Sequence, residues 1–207
     1  MTADKCANPK VMWDERYSHS DLVYGEAPND FLQSQIIRLP PGINVFVPAD
    51  GYGRNGIWLA KQGFRVHTVD LSPVGVERAR KAAAAAGVTM KMEVADLVSW
   101  QWPLDAFDAV VAIFFHIPSA VRPKIHASML GALKPGGLVI LQAFTPAQLQ
   151  FTSGGPKQVD LLYTAESLRH DFADAEIVLL EEQVTQLNEG HLHSGPGAVV
   201  QAVFRRN

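Results

Sequence analysis

The chain holds one cysteine in 207 residues, Cys6. It can close no internal disulfide, and without a second thiolate it spells neither a redox Cys-x-x-Cys pair nor a thiolate zinc cluster. Residence in a reducing compartment, the cytoplasm, is expected. Charge of one sign is equally scarce: 18 Lys and Arg against 21 Asp and Glu leave a net charge of −3, which gives no diffuse basic field for a phosphate backbone or an anionic lipid surface. Neither nucleic acid nor membrane is therefore expected as a partner. Long hydrophobic runs are missing too. The most apolar stretches, Ala109 to Phe115 and Leu138 to Phe144, fall far short of the roughly 20 residues that span a bilayer. The first residues are polar and lack the apolar core of a secretory leader, so no export is expected. There is no internal repeat and no low-complexity tail, and the alanine run Ala82 to Ala86 is ordinary helix composition.

What is present is a globular composition, 47% hydrophobic and 19% charged, in a length that suits one domain over residues 1–207. Ile43 to Val47 reads as a strand. A glycine-punctuated turn follows it, and then a helical pattern from Asn55 to Gln62. Arg65 to Val69 reads as the second strand. Ser72 and Pro73 then cap and open a helix over Val74 to Ala86, which Gly87 stops. Thr89 to Val94, Phe107 to Phe114 and Leu138 to Ala143 supply three more strands, and Ser119 is expected to cap a helix running to about Leu133.

Strands alternating with helices predict a doubly wound, mostly parallel α/β sheet with helices on both faces. Ala175 to Val184 and Ala198 to Arg205 are joined by too few residues for a crossover helix, so they should pair antiparallel as a C-terminal hairpin, giving seven strands. Residues 1–40 read as an N-terminal cap with a helix from Asn29 to Arg38, residues 41–143 as a cofactor-binding core, and residues 164–207 as a helix and the hairpin. Residues 144–163 form a long connection on the ligand side of the sheet. Phe151, Gly154, Gly155 and Pro156 stand there as candidate acceptor-side residues, loop packing being the alternative.

The strongest chemical signal is Asp50-Gly51-Tyr52-Gly53-Arg54-Asn55 between the first strand and its helix, with Asp70 and Leu71 about 20 residues on, at the end of the second strand. Glycines let the backbone approach a ligand, and a carboxylate at that place can accept from both hydroxyls of a ribose. An adenosine-bearing cofactor is implied. Gly51, Gly53 and Gly56 also fit the dinucleotide spacing, so an NAD(P)-binding oxidoreductase stays open at this point. The Tyr-x-x-x-Lys pair of short-chain reductases and the phosphate loop of nucleotide hydrolases are both missing.

Taken in order, four segments resemble the class I S-adenosylmethionine-dependent methyltransferases: Val45 to Ala60, Val66 to Pro73, Val94 to Leu97, and Leu133 to Leu141 with its Lys134-Pro135-Gly136-Gly137 turn. Within that family, Trp13-Asp14-Glu15-Arg16-Tyr17 with Tyr24-Gly25, and Pro48, are similar to the tellurite-resistance and thiopurine methyltransferase branch. The resemblance implies S-adenosylmethionine as cofactor, with Asp96 meeting the adenine amino group and Leu97 a ring edge. It also implies Gly51, Gly53, Arg54, Asn55, Asp70 and Leu71 around the cofactor, with Ile113 and Phe114 as wall residues. Trp13, Arg16 and Tyr24 would close over it, or would only staple the cap to the sheet. Two positions depart from the family pattern: Val47 stands where an acid is common, and Ala49 where the first glycine is. Asp50 is the substitute expected to serve the methionine ammonium.

Methyl transfer needs alignment and exclusion of water more than it needs side-chain chemistry. For a protonated acceptor His116, just past the fourth strand, is the candidate base, the alternative being a histidine bonded to backbone. His191 and His193 are expected to be solvated residues of the hairpin tip, and no metal site is expected. The expected function is methyl transfer to a small acceptor, with a soft sulfur, selenium or tellurium atom as one candidate, by a monomer or weak homodimer. The rivals are the oxidoreductase and a non-catalytic S-adenosylmethionine-binding regulatory module, the latter motivated by Val47 and Ala49.

Overall fold

The computed structural model describes residues 8–19 and 22–207. Cys6 lies outside the described residues. Seven strands form one sheet in the order β3-β2-β1-β4-β5-β7-β6. They are β1 (Asn44–Pro48), β2 (Arg65–Asp70), β3 (Lys91–Val94), β4 (Phe107–Ile113), β5 (Leu133–Phe144), β6 (Ala175–Glu189) and β7 (His193–Arg206). β1 to β5 run parallel, while β7 pairs antiparallel with both β5 and β6. The helices are α1 (Pro9–Ser18), α2 (Asp30–Gln35), α3 (Arg54–Lys61), α4 (Pro73–Ala85), α5 (Arg122–Ala132) and α6 (Ala165–Asp171).

The sheet is covered on both faces, which is why its inner strands read as continuous apolar runs. Alternate residues of β4 enter opposite cores. Val110 and Ala112 join Phe46, Met129 and Phe204 on one side, while Ala109, Val111 and Ile113 join Val45, Leu59 and Ile140 on the other. Local chemistry sets the helix starts. Ser72 accepts from the Gly75 N–H at the head of α4, and Asn29 accepts from Leu32 at the head of α2.

Three sequence-based expectations need correction. Ser119 does not cap α5. Its hydroxyl donates to Asp160 instead, Val121 occupies the cap position, and the helix begins at Arg122, with Pro123 in its first turn. The hairpin strands are far longer than expected, running on to Glu189 and back from His193, which pair across the turn at 190–192. The connection at 144–163 is tied down rather than structureless. Gln148 is buried and donates to Ser153 Oγ and to the Gly154 carbonyl, and it accepts from the Ala198 N–H of β7.

Candidate active site

The carboxyl ends of β1 and β2 hold the first half of the site. Gly51 is left-handed at φ +58°, and its N–H donates to Asp70 Oδ2 at 2.8 Å; Ser72 N–H donates to Oδ1 at 2.8 Å. These two donors fix the Asp70 carboxylate at the carboxyl end of β2. A side chain at Gly51 has no room, because a Cβ there would stand 2.5 Å from the Tyr17 hydroxyl. Gly53, at φ +89°, is the cap of α3. Ala49, where the family has glycine, is itself left-handed at φ +54°, a conformation that costs an L residue roughly 1–2 kcal/mol.

Asp50 turns under α3. Its Oδ2 accepts from the Gly56 N–H at 3.0 Å, while Oδ1 is enclosed without a partner among the described residues. Burial pushes its carboxyl up to about 8, against the pull of the Gly56 N–H and with the help of the Asp70 charge. Farther along the same edge, Leu71 is half-buried and Leu97 buried, while the exposed Asp96 uses Oδ1 to accept from Val98 N–H and so shapes the turn after β3.

The second half is built by side chains from distant segments. The helix α1 lies along α4, joined to it by the Ser72 hydroxyl donating to Asp14. Its Trp13 stacks on Tyr17 at 5.4 Å, and the Arg16 guanidinium lies 4.9 Å from the Trp13 ring and donates to the Tyr24 hydroxyl at 2.6 Å. Among the described residues Arg16 has no carboxylate partner. Tyr24 N–H donates to the Tyr52 hydroxyl, which donates in turn to the Gly25 carbonyl, so the cap is bonded to the glycine turn itself.

The hairpin tip closes the same space. Arg54 donates to Glu189 at 2.6 Å and Asn29 donates to its other oxygen at 2.5 Å, all three side chains being buried. Asn55 is also held by protein, accepting from the Asn29 N–H at 2.9 Å. Gly190 permits the approach, since a Cβ there would stand 2.4 Å from Gly25 N. His193 is not the solvated tip residue expected from sequence. It is 7% exposed, its ring 4.7 Å from both Tyr24 and Phe114, and its Nδ1 is 3.5 Å from Glu189 Oε2. His191, by contrast, is exposed as expected. No alternation rule finds His193, because the signal is a glycine-rich tip folding back on a cap 160 residues away, the separation of Asn29 from Glu189.

Ile113 and Phe114 end β4. Phe114 is left-handed at φ +51° and stacks on Phe144 at 4.5 Å, the kind of backbone strain that clusters at ligand sites. His116 lies beyond Phe144 with both ring nitrogens on backbone: Nδ1 sits 2.6 Å from the Leu161 carbonyl, and Nε2 accepts from Phe144 N–H at 3.4 Å. Burial pushes its pKa down to about 4, although the Leu161 bond works the other way. Of the loop residues, Gly154 lies against His193 and Gly155 against Phe144. Among the described residues no three acidic, histidine or cysteine side chains converge as metal ligands would, and no helix is long and apolar enough to cross a membrane.

Comparison with known proteins fits this geometry. Residues 48–137 match the family described as a methyltransferase domain. A thiopurine S-methyltransferase of Gluconobacter oxydans (strain 621H) is 35% identical over 71 residues, a stretch that makes up 33% of this chain and only 32% of that relative's length. Among solved structures, a chain from work on the conversion of a disulfide bond into a thioacetal group during echinomycin biosynthesis superposes with a TM-score of 0.80 at 19% identity, over 97% of this chain and 92% of that one. TehB from Haemophilus influenzae gives 0.69 at 16% identity, over 96% and 67%. Residues 48–137 are thus similar to a methyltransferase domain, and nearly the whole chain shares the fold of these solved structures.

Proposed function

We propose that the protein transfers a methyl group from S-adenosylmethionine to a small acceptor through a soft atom, sulfur, selenium or tellurium. The single observation behind this reading is the pairing of the Gly51 turn with an Asp70 carboxylate already oriented by two backbone donors, on the same side of the sheet as a cluster of packed aromatic rings. When bound, the cofactor supplies an electrophilic methyl on a sulfonium sulfur. Asp70 is the acceptor for its ribose hydroxyls, and Leu71, Asp96 and Leu97 border the adenine. Gly51 and Gly53 let the backbone close in. The unpartnered Asp50 Oδ1 suits an ammonium group, and Arg16, lacking a carboxylate partner among the described residues, suits the carboxylate of the same methionine moiety.

Trp13, Tyr24, Ile113 and Phe114 exclude water from the reacting end. Aromatic faces there attract a sulfonium and tolerate a large polarisable acceptor atom without asking it for hydrogen bonds. Arg54 and Asn55 act through the hairpin and the cap, which they hold in place. The name of the thiopurine S-methyltransferase relative supports a sulfur acceptor, and the chain adds no basic stripe for nucleic acid. A cytoplasmic monomer or weak homodimer follows from the same reading. Incubating the protein with methyl-labelled S-adenosylmethionine and a panel of thiols, selenite and tellurite tests it. Label transfer to at least one soft acceptor, and not to matched alcohols, is expected; cofactor binding with no transfer to any of them would favour the regulatory-module reading and overturn this one.

A further inference from the structure

His193, buried, and His116, half-buried, face the same aromatic cluster, and their nitrogens are used differently. In His116 both are engaged by backbone, to Leu161 and Phe144. In His193, Nδ1 faces Glu189, whose oxygens also accept from Arg54 and Asn29, and Nε2 has no hydrogen-bond partner among the described residues. The His193 side chain keeps 8% of its surface exposed. The ring sits against Phe114, the strained residue ending β4, and against Tyr24 of the cap, with Gly154 so close that a Cβ there would meet its Cδ2 at 2.7 Å. A carboxylate behind an imidazole with one free nitrogen is the arrangement that fixes a tautomer and supports the cation formed on proton uptake.

We propose that His193, oriented by Glu189, takes the proton of a protonated soft acceptor, a thiol or selenol, as that acceptor is methylated. The inference rests on the methyl-transfer reading above. As the acceptor's S–H or Se–H proton passes to His193 Nε2, the S–C or Se–C bond forms on the methyl carbon. The electron pair of the breaking carbon–sulfonium bond stays on the cofactor sulfur, leaving a neutral thioether, and the imidazolium then returns its proton to solvent. Glu189 beside His193 Nδ1, the Tyr24 phenol against its ring, and Arg54, Arg16 and His116 around it are the charged and titratable groups that face it. Burial, with the Arg54 and Arg16 charges, holds the His193 pKa below the ordinary histidine value in spite of Glu189, so the ring is neutral and able to accept near neutral pH.

Two measurements test this. The first is nitrogen-15 NMR of the histidines in protein loaded with S-adenosylhomocysteine. His193 is expected as the Nδ1–H tautomer, with an Nε2 resonance that moves when 2-mercaptoethanol is added while those of His116 stay; an unmoved His193 would overturn the assignment. The second is kinetic. His193→Gln should lower kcat/KM with 2-mercaptoethanol by about a hundredfold, and by at least about thirtyfold more than with 4-nitrothiophenolate, which arrives already ionised. Equal losses on both acceptors would make His193 a packing residue and overturn the proposal while leaving methyl transfer intact. Wild-type protein that methylates neither thiol would overturn this proposal, and only failure on selenite and tellurite as well would overturn the methyl-transfer reading with it. If His193→Gln fails to fold, the NMR experiment on the wild type still decides.

Discussion

The two halves of the proposed site are made in different ways. In the half proposed for the cofactor, backbone groups and one carboxylate from adjoining strands do the work: Gly51, Ser72 and Asp70 come within about 20 residues of one another. In the half proposed for the acceptor, a cap segment, the end of β4 and a hairpin tip meet through Arg54, Asn29, Glu189 and His193, held by buried charge and ring contacts. The first construction tolerates change at its rim but not at its glycines. The second depends on long-range contacts, any one of which leaves a buried group exposed to loss when removed.

Substitutions that strike one end and spare the other break this comparison. Glu189→Ala should have the largest effect, because it leaves the buried Arg54 cation without its carboxylate. A loss of about 3–5 kcal/mol in unfolding free energy is expected, with S-adenosylhomocysteine affinity of the folded fraction kept within about threefold. Denaturant unfolding and calorimetry read the two quantities. Asp70→Ala should do the reverse, weakening S-adenosylhomocysteine binding by about a hundredfold, equivalent to roughly 2.7 kcal/mol, with a far smaller change in stability.

Asp50 joins the two quantities with opposite signs. Its folded pKa is raised, so the fold favours the protonated carboxyl, and stability should fall as pH rises from the ordinary carboxylate range toward about 8. Asp50→Asn should remove that slope and stabilise the ligand-free protein at pH 8 by about 1–2 kcal/mol, while weakening cofactor binding about tenfold. A stabilised variant with undiminished affinity would take the ammonium role away from Asp50. The smallest effect is expected at Ala49→Gly. Relief of the left-handed alanine, partly offset by glycine's entropy, should raise stability by about 0.5–1 kcal/mol in the same unfolding assay.

The same contrast explains what could be read from the residues alone. The parallel strands, the Gly51 turn and Asp70 were legible because each is written locally, in a period or a spacing. The far half of the hairpin is not legible in the sequence because Thr185 to Glu189 is polar but for Leu187 and the tip is rich in glycine, a pattern that marks loop as readily as strand. Helix α1 had no apolar stripe to announce it. Its Trp13 and Tyr17 rings stack on each other, and Tyr17 meets Tyr52 of the glycine turn edge-on, so no 3.6-residue face is needed. His116 looked the better base because it follows a strand. Only the partners of its nitrogens, Leu161 and Phe144, separate it from His193.

Whether the Gly51 turn and Asp70 form an S-adenosylmethionine site is decided by calorimetric titration of the purified protein with S-adenosylmethionine, S-adenosylhomocysteine and NADH in one buffer. Micromolar binding of the first two, abolished by Asp70→Ala, with no heat from NADH is the expected result; binding of NADH alone would contradict it.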